Sequence, residues 1–165
     1  MYLLDYAHYN LWANTRMVQL FRTCSDAQLN QEIVSSFPSI HTTFLHLWAV
    51  EIVWTDRLQS VPSPRFPANG FSGSTEDVFS NLLASSQALI DFIQNQPAAF
   101  FERTIDFTLL TAPGNNQMLP TEMLHHLFNH QTMHRGQLIT MGRQLGITAF
   151  PRTDYMMWLR EQKEQ

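Results

Sequence analysis

The chain has 165 residues, 44% hydrophobic and 12% aromatic, which suffices for one compact domain with a sizeable core. Its formal net charge is −4, and the ten basic residues are nine arginines and one lysine, Lys163, scattered without a run. That balance excludes a duplex-binding stripe, and the solitary lysine argues against Schiff-base or lysine-nucleophile chemistry.

A single cysteine, Cys24, rules out an intrachain disulfide and a cysteine-based zinc site. Its neighbours offer little to activate it, so it reads as structural. No apolar run approaches the ~20 residues of a membrane span. Met1–Asp5 lacks the basic start and apolar stretch of a signal peptide. The expectation is one soluble, cytoplasmic domain over residues 1–165, with neither membrane nor nucleic acid as partner.

The first element is a helix over about Leu3–Arg22, where Tyr6, Tyr9, Ala13, Met17 and Leu20 draw one apolar stripe. Residues 23–38 are polar and end in Phe37-Pro38, a helix boundary. A second helix runs from about Ser39 to Leu58, rich in large side chains. Residues 60–73 carry three prolines and two glycines and form an irregular loop.

Ser74 or Thr75, followed by Glu76 and Asp77, opens a third helix reaching about Asn95. Residues 103–109 alternate apolar and polar, and Ala112–Asn116 forms a turn, so a small hairpin or ordered loop fits here. Pro120 starts a fourth long helix and Gly146 stops it. A short amphipathic helix, about Thr153–Glu161, follows. Four long helices with short or irregular connections predict an all-α, four-helix bundle.

Seven histidines carry the chemical signal. On the fourth helix, His130 and His134 are one turn apart and about 40° apart around the axis, a spacing that lets two imidazoles hold one metal ion. His126 lies one turn back on the same side, and His125 points about 140° away. Met123, Leu127, Met133, Leu138 and Met141 fall within about 80° of His130, which predicts an apolar face. Stacked imidazoles in such a face need partners for both ring nitrogens, and a metal ion is a shared solution.

A third ligand is then needed. Gln131 stands where a zincin would have glutamate, so no HExxH motif exists. His46 on the second helix shares its face with Thr42, Thr43, Ala49, Val50 and Val53 and is the better candidate; a satisfied core histidine is its alternative reading. Glu51 lies about 140° round from His46 and does not join it.

Other residues receive structural readings. Tyr6, Asn10 and His126 read as packing, with substrate contact as the alternative. His8, His41 and His125 look peripheral. Gly136, inside a strong helix, predicts close approach of a neighbouring helix. Arg135 reads as a surface or interhelical ion-pair group, and Asp56, Arg57 and Arg143 as solvated charge.

Four segments together resemble the DinB family of damage-inducible, YfiT-like metalloproteins. They are Tyr9–Asn14, Ser39–Leu47 with Glu51 and Trp54 beyond, His126–Leu138 closed by Arg143–Gly146, and Thr153-Asp154-Tyr155. The His-x3-His-Arg-Gly-Gln string at His130–Gln137 is the most specific part. The resemblance implies an up-down-down-up bundle and a homodimer. It implies a divalent metal, zinc or nickel, on His46, His130 and His134, with His126 outside the ligand set. Relatives include thiol S-transferases that use bacillithiol or mycothiol and a thiol-dependent isomerase. A metal-dependent transferase or hydrolase acting on a small thiol or electrophile is therefore expected, with a low-molecular-weight thiol as possible co-substrate. No general base stands out. The alternative is a non-catalytic metal- or ligand-binding stress-response bundle. Damage-inducibility describes expression and does not imply contact with DNA.

Overall fold

In the computed structural model, which describes residues 2–109 and 114–164, three of the four long helices begin at a residue suited to that role. Ser39 caps the helix Ile40–Leu58 (α3): its Oγ accepts from Thr42 N–H, and Thr42 Oγ1 accepts from Ser39 N–H at 3.0 Å. Ser74 and Asp77 make the same reciprocal pair at the start of Thr75–Gln94 (α4). Pro120 occupies the first turn of Pro120–Gln144 (α5), where its missing N–H costs nothing, and Glu122 accepts the Leu119 N–H at 2.8 Å. At the other end of α5, Gly146 adopts φ +82°. That conformation lets Ile147 N–H reach Gly142 C=O and Gly146 N–H reach Arg143 C=O, which closes the helix as a Schellman motif. The first long helix is Tyr2–Phe21 (α1).

Side-chain pairs between these helices give their directions. Phe21 meets Phe44 and Asn10 meets Glu51, so α1 and α3 are antiparallel. Phe44 meets Phe79 and Glu51 meets Ser85, so α3 and α4 run parallel. His46 meets His130 and Trp54 meets His126, so α5 runs back along α3. The bundle is up-down-down-up, as expected, with α1 next to α4 and α5, and α3 next to the same two.

Shorter elements fill the connections. Residues 23–38, expected as a plain connection, contain the helix Asp26–Asn30 (α2), capped by Ser25. A 3-10 turn spans Ala98–Glu102. Ile105–Thr108 (β1) pairs antiparallel with Asn115–Met118 (β2), with Ile105 opposite Met118. Asn115 and Asn116, expected in the turn, belong to β2 instead, and residues 112 and 113 lie outside the described residues. The tail helix is Tyr155–Lys163 (α6). None of these helices is long and apolar enough to cross a membrane.

The apolar interior is in two parts. One gathers Phe21, Phe44, Phe79 and Met141. The other gathers Trp54, Leu89, Leu127 and Phe107. Between them the four long helices contribute a buried polar layer: Asn10, Asn14, Glu51, Ser85, Ser86, Gln131 and Arg135. Glu51 accepts from Asn10 Nδ2 at 2.9 Å and from the Ser85 and Ser86 hydroxyls at 2.6 and 2.8 Å. Arg135 Nη1 donates to the side-chain oxygens of Asn10 and Asn14 at 2.7 and 2.9 Å. Arg135 is thus neither a surface group nor a direct ion-pair partner: Asn10 stands between its charge and that of Glu51.

Two further expectations change. A Cβ at Gly136 would meet nothing within 4 Å, so no helix approaches there. The close approach is at Gly142, where a Cβ would come within 2.8 Å of the Phe150 ring. Asp56 and Arg57, expected in solvent, are 0% and 4% exposed. Asp56 is buried because Arg65 folds the 60–73 loop back onto it, through Nε and Nη2 at 2.9 and 2.6 Å and a backbone N–H at 2.8 Å. Burial alone would raise the Asp56 carboxyl; the Arg65 bonds and charge outweigh it and hold the group below its usual value.

Candidate metal centre

Helix rotation explains where the histidines of α5 end up. The buried arc of α5 runs from Met123 through Leu127, Gln131 and Arg135 to Phe128, centred roughly 90° to one side of His130. His134, about 40° toward that arc, is buried, and His130 is half-buried at its edge. His126 and Met133 lie on the other side of His130 and are turned outward, Met133 to 54% exposure. The apolar face predicted around His130 is therefore offset: the histidines stand at its rim, against α3.

His46 on α3 meets that rim. Its Nε2 lies 3.1 Å from His130 Nε2, which lies 3.1 Å from His134 Nε2. The three ligand atoms fall within 4.8 Å of one another, so the set could hold a metal ion. Two nitrogens about 2.0–2.1 Å from one zinc ion, at tetrahedral or right-angled positions, stand roughly 2.9–3.4 Å apart, which matches the two short contacts.

The hydrogen bonds fit a cation as well. His134 Nδ1 donates to Gln137 Oε1 at 2.7 Å, which leaves its Nε2 with a lone pair. Gln137 is held in turn by Ser36, to whose Oγ it donates at 2.9 Å. Such support from behind fixes the tautomer and orientation of a ligating imidazole. His130 Nδ1 is buried without a partner among the described residues, and its Nε2 faces two other ring nitrogens. One proton at most can sit among the three Nε2 atoms, whereas a cation takes all three lone pairs together. The ring nitrogen left without a partner among the described residues is His130 Nδ1.

Burial and mutual repulsion keep the rings neutral, which is the ligating form. His46 is lowered to about 4, first by burial and then by the charge of His134. His130 is lowered to about 3, by burial and then by His134, His46 and His126. His134 is lowered by burial, partly offset by the Gln137 bond. Phe37 stacks on His46 at 4.2 Å between ring centres and lies 5.6 Å from His134, covering one side of the cluster.

The other side opens to a cavity of about 620 Å³, walled by His46, His130, Val50, Trp54, Arg57 and His126 among others. A larger groove of about 840 Å³ between α1 and α6 does not include the three histidines.

The remaining candidates take structural places. Glu51 sits in the polar layer and not with His46. Burial pushes its carboxyl up to about 7 despite bonds from Ser85, Ser86 and Asn10 and the charge of Arg135. Asn10 belongs to the same layer, and Tyr6 stacks on Tyr155 at 4.7 Å. His126 packs on Trp54 at 4.5 Å, with its ring 6.1 Å from that of His130. His8 and His125 are exposed, and His41 bonds Thr75 Oγ1 at 2.9 Å. Burial raises the half-buried Cys24 thiol, which makes it less reactive. Sequence reasoning missed Gln137 and Ser36 as support for His134, and Arg57 as a wall of the cavity. The Gln137 signal was present, three residues beyond His134 on one helix face.

Known proteins resemble this chain in sequence and in fold. It is 27% identical over 160 residues to Protein DinB of Bacillus subtilis (strain 168), covering 92% of this chain and 90% of that protein. A DinB-like protein from Bacillus cereus ATCC 10987 superposes with a TM-score of 0.67 at 19% identity, over 85% of this chain and 89% of the other. YfiT from Bacillus subtilis, described as a probable metal-dependent hydrolase with an unusual four-helix bundle topology, gives a TM-score of 0.65 at 12% identity, over 87% of each chain. At these identities the two structural likenesses bear on the fold alone. The sequence model of the DinB family matches residues 1–165, and the chain belongs to the DinB family.

Proposed function

We propose that this protein is a metal-dependent hydrolase or transferase acting on a small thiol or electrophilic substrate, with His46, His130 and His134 as the ligands of a zinc or nickel ion. The observation that carries the reading is the convergence of three imidazole Nε2 atoms beside a cavity that two of the rings, His46 and His130, line. The description of YfiT as a probable metal-dependent hydrolase favours the same chemistry. Three nitrogen ligands leave positions free, the arrangement of catalytic and not structural sites. A divalent ion held there would lower the pKa of a water or thiol brought beside it.

The chain's own residues supply the rest. Phe37 excludes water from the closed side of the cluster. Gln137 and Ser36 hold His134 in its ligating tautomer. Val50, Val53 and Trp54 present an apolar wall to the organic part of a substrate. Burial and the charge of Arg57 lower the pKa of His126, so it presents a neutral imidazole to the cavity. A low-molecular-weight thiol is the proposed co-substrate of the transferase form of this chemistry.

A screen of electrophilic esters, amides and alkyl halides, with and without low-molecular-weight thiols, tests the reading. Turnover should rise with the metal content of the protein and vanish in His130→Ala. Tight metal binding with no turnover across the screen would instead identify a non-catalytic metal-binding bundle.

A further inference from the structure

Arg57 is a buried cation without a carboxylate. Its side chain is 4% exposed, yet among the described residues it takes part in no ion pair. The neighbouring Asp56 is fully engaged by Arg65. Of the five N–H donors of the guanidinium, the described residues accept one: Nη2 donates to Thr108 C=O at 3.0 Å. Nε is buried with no partner among the described residues. Trp54 and Phe107 pack against it from one side, at 4.7 and 5.0 Å from the guanidinium carbon and 5.5 Å from each other. Stacking and one carbonyl orient this group but do not neutralise it, and an uncompensated charge in such a place is costly to keep.

Its position suggests what compensates it. His46, Val50, Val53, Trp54 and Arg57 recur along one face of α3 and line one cavity. His46 and Arg57 are eleven positions apart, which places them about 16 Å apart along the helix and about 20° apart around it. A helical side chain leans toward its N-terminus, so the long Arg57 side chain reaches back toward the histidines. The cavity thus has the imidazole cluster at one end, an apolar wall in the middle and one unpaired cation at the other. Among the described residues, Arg57 is the only lysine or arginine on that wall. A single positive charge matches a carboxylate and falls short of a phosphate dianion.

We propose that Arg57 anchors a carboxylate of the substrate, at the end of the cavity opposite the three histidines. The substrate is then a small carboxylic acid whose reacting group stands several carbons from its carboxylate. This deepens the metal-dependent reading above and rests on it for the reacting end alone.

The test is calorimetric binding of straight-chain carboxylates, acetate to octanoate, and of the matching neutral amides, to the full chain stripped of metal by a chelator. Removing the metal prevents carboxylates from binding to the ion itself. Octanoate should bind at least about tenfold more tightly than octanamide, as a charged hydrogen-bonded pair requires. Affinity should rise about threefold to fourfold per methylene as the chain covers the apolar wall. Arg57→Gln should erase the preference for the acid, and Arg57→Lys should keep part of it, with circular dichroism showing both variants folded. Metal analysis of the parent as isolated separates the anchor from the metal site: an acid preference that depends on Arg57, found in a protein that carries no stoichiometric metal, overturns only the metal reading. Equal affinity for acid and amide, or an acid preference that survives Arg57→Gln, overturns the proposal.

Discussion

The Nε2 atoms of His46 and His130 lie 3.1 Å apart although 84 positions separate the residues in the chain. Neighbouring residues fix that approach. Gln131, next to His130 and fully buried, donates from Nε2 to the carbonyl of Leu47, next to His46, at 2.9 Å. The bond pins the register of α5 against α3 at the level where the imidazoles meet. The polar layer behind it, from Glu51 through Asn10 to Arg135, ties α1 and α4 to the same level. A three-histidine cluster formed by two helices is thus held in place by all four.

Support of His134 by Gln137 should be measurable. Gln137→Ala removes the acceptor that selects the tautomer of His134, and metal affinity should fall about 10- to 100-fold with little change in fold. Competition with a chromogenic chelator measures it. Ser36→Ala, one step further out, should have a smaller effect in the same direction.

Stability of the metal-free protein should peak in mildly acidic solution, because two groups act with opposite sign. The folded-state values of His46 and His130, about 4 and 3, lie below that of a free imidazole. The unfolded chain therefore binds more protons than the folded one as pH falls from about 6.5, and stability drops. Glu51 is raised to about 7, so its contribution is complete below the usual carboxylate range and is lost as pH rises through about 7. Urea denaturation from pH 4 to pH 9 should show both limbs. Glu51→Gln should flatten the alkaline limb, worth on the order of 1–3 kcal/mol, and leave the acid limb intact.

Much of this architecture is legible in the sequence, and what is not has a common cause. Ser39, Ser74, Pro120 and Gly146 act locally, through caps and a left-handed turn, so the bounds of the long helices follow from the chain itself. The spacing of His130 and His134 follows from helix periodicity in the same way. Arg57, Asp56 and Arg135 do not, because their burial depends on distant partners: Phe107 and Thr108 over Arg57, Arg65 on Asp56, Asn10 and Asn14 on Arg135. Charge alone assigns such residues to the surface. Gly136 misled for a related reason, since a helical glycine signals close approach only if another element comes near, and here Gly142 is the one that Phe150 approaches.

The two α5 glycines should respond oppositely to a methyl group. Gly136→Ala meets open space and should stabilise the protein by about 0.5–1 kcal/mol through helix propensity. Gly142→Ala drives a Cβ to 2.8 Å from Phe150 and 3.3 Å from Phe21, and should cost about 1–3 kcal/mol. Thermal unfolding of the two variants beside the parent measures both signs.

The Asp56–Arg65 pair should act on the loop more than on the bundle. Arg65 is largely exposed and Asp56 is not, so Asp56→Ala releases the residue 60–73 segment, which brings Pro64, Phe66 and Asn69 to the cavity. The loss should be about 1–3 kcal/mol, with faster proteolysis confined to that loop. Limited digestion followed by mass spectrometry locates the cuts.

The central claim is that His46, His130 and His134 hold one cation. Element-resolved metal analysis of the isolated protein tests it most directly. The account predicts close to one zinc or nickel ion per chain, and next to none once His130→Ala and His134→Ala are introduced together in a variant that remains folded. A parent protein without stoichiometric divalent metal, or a double variant that retains it, would contradict the account.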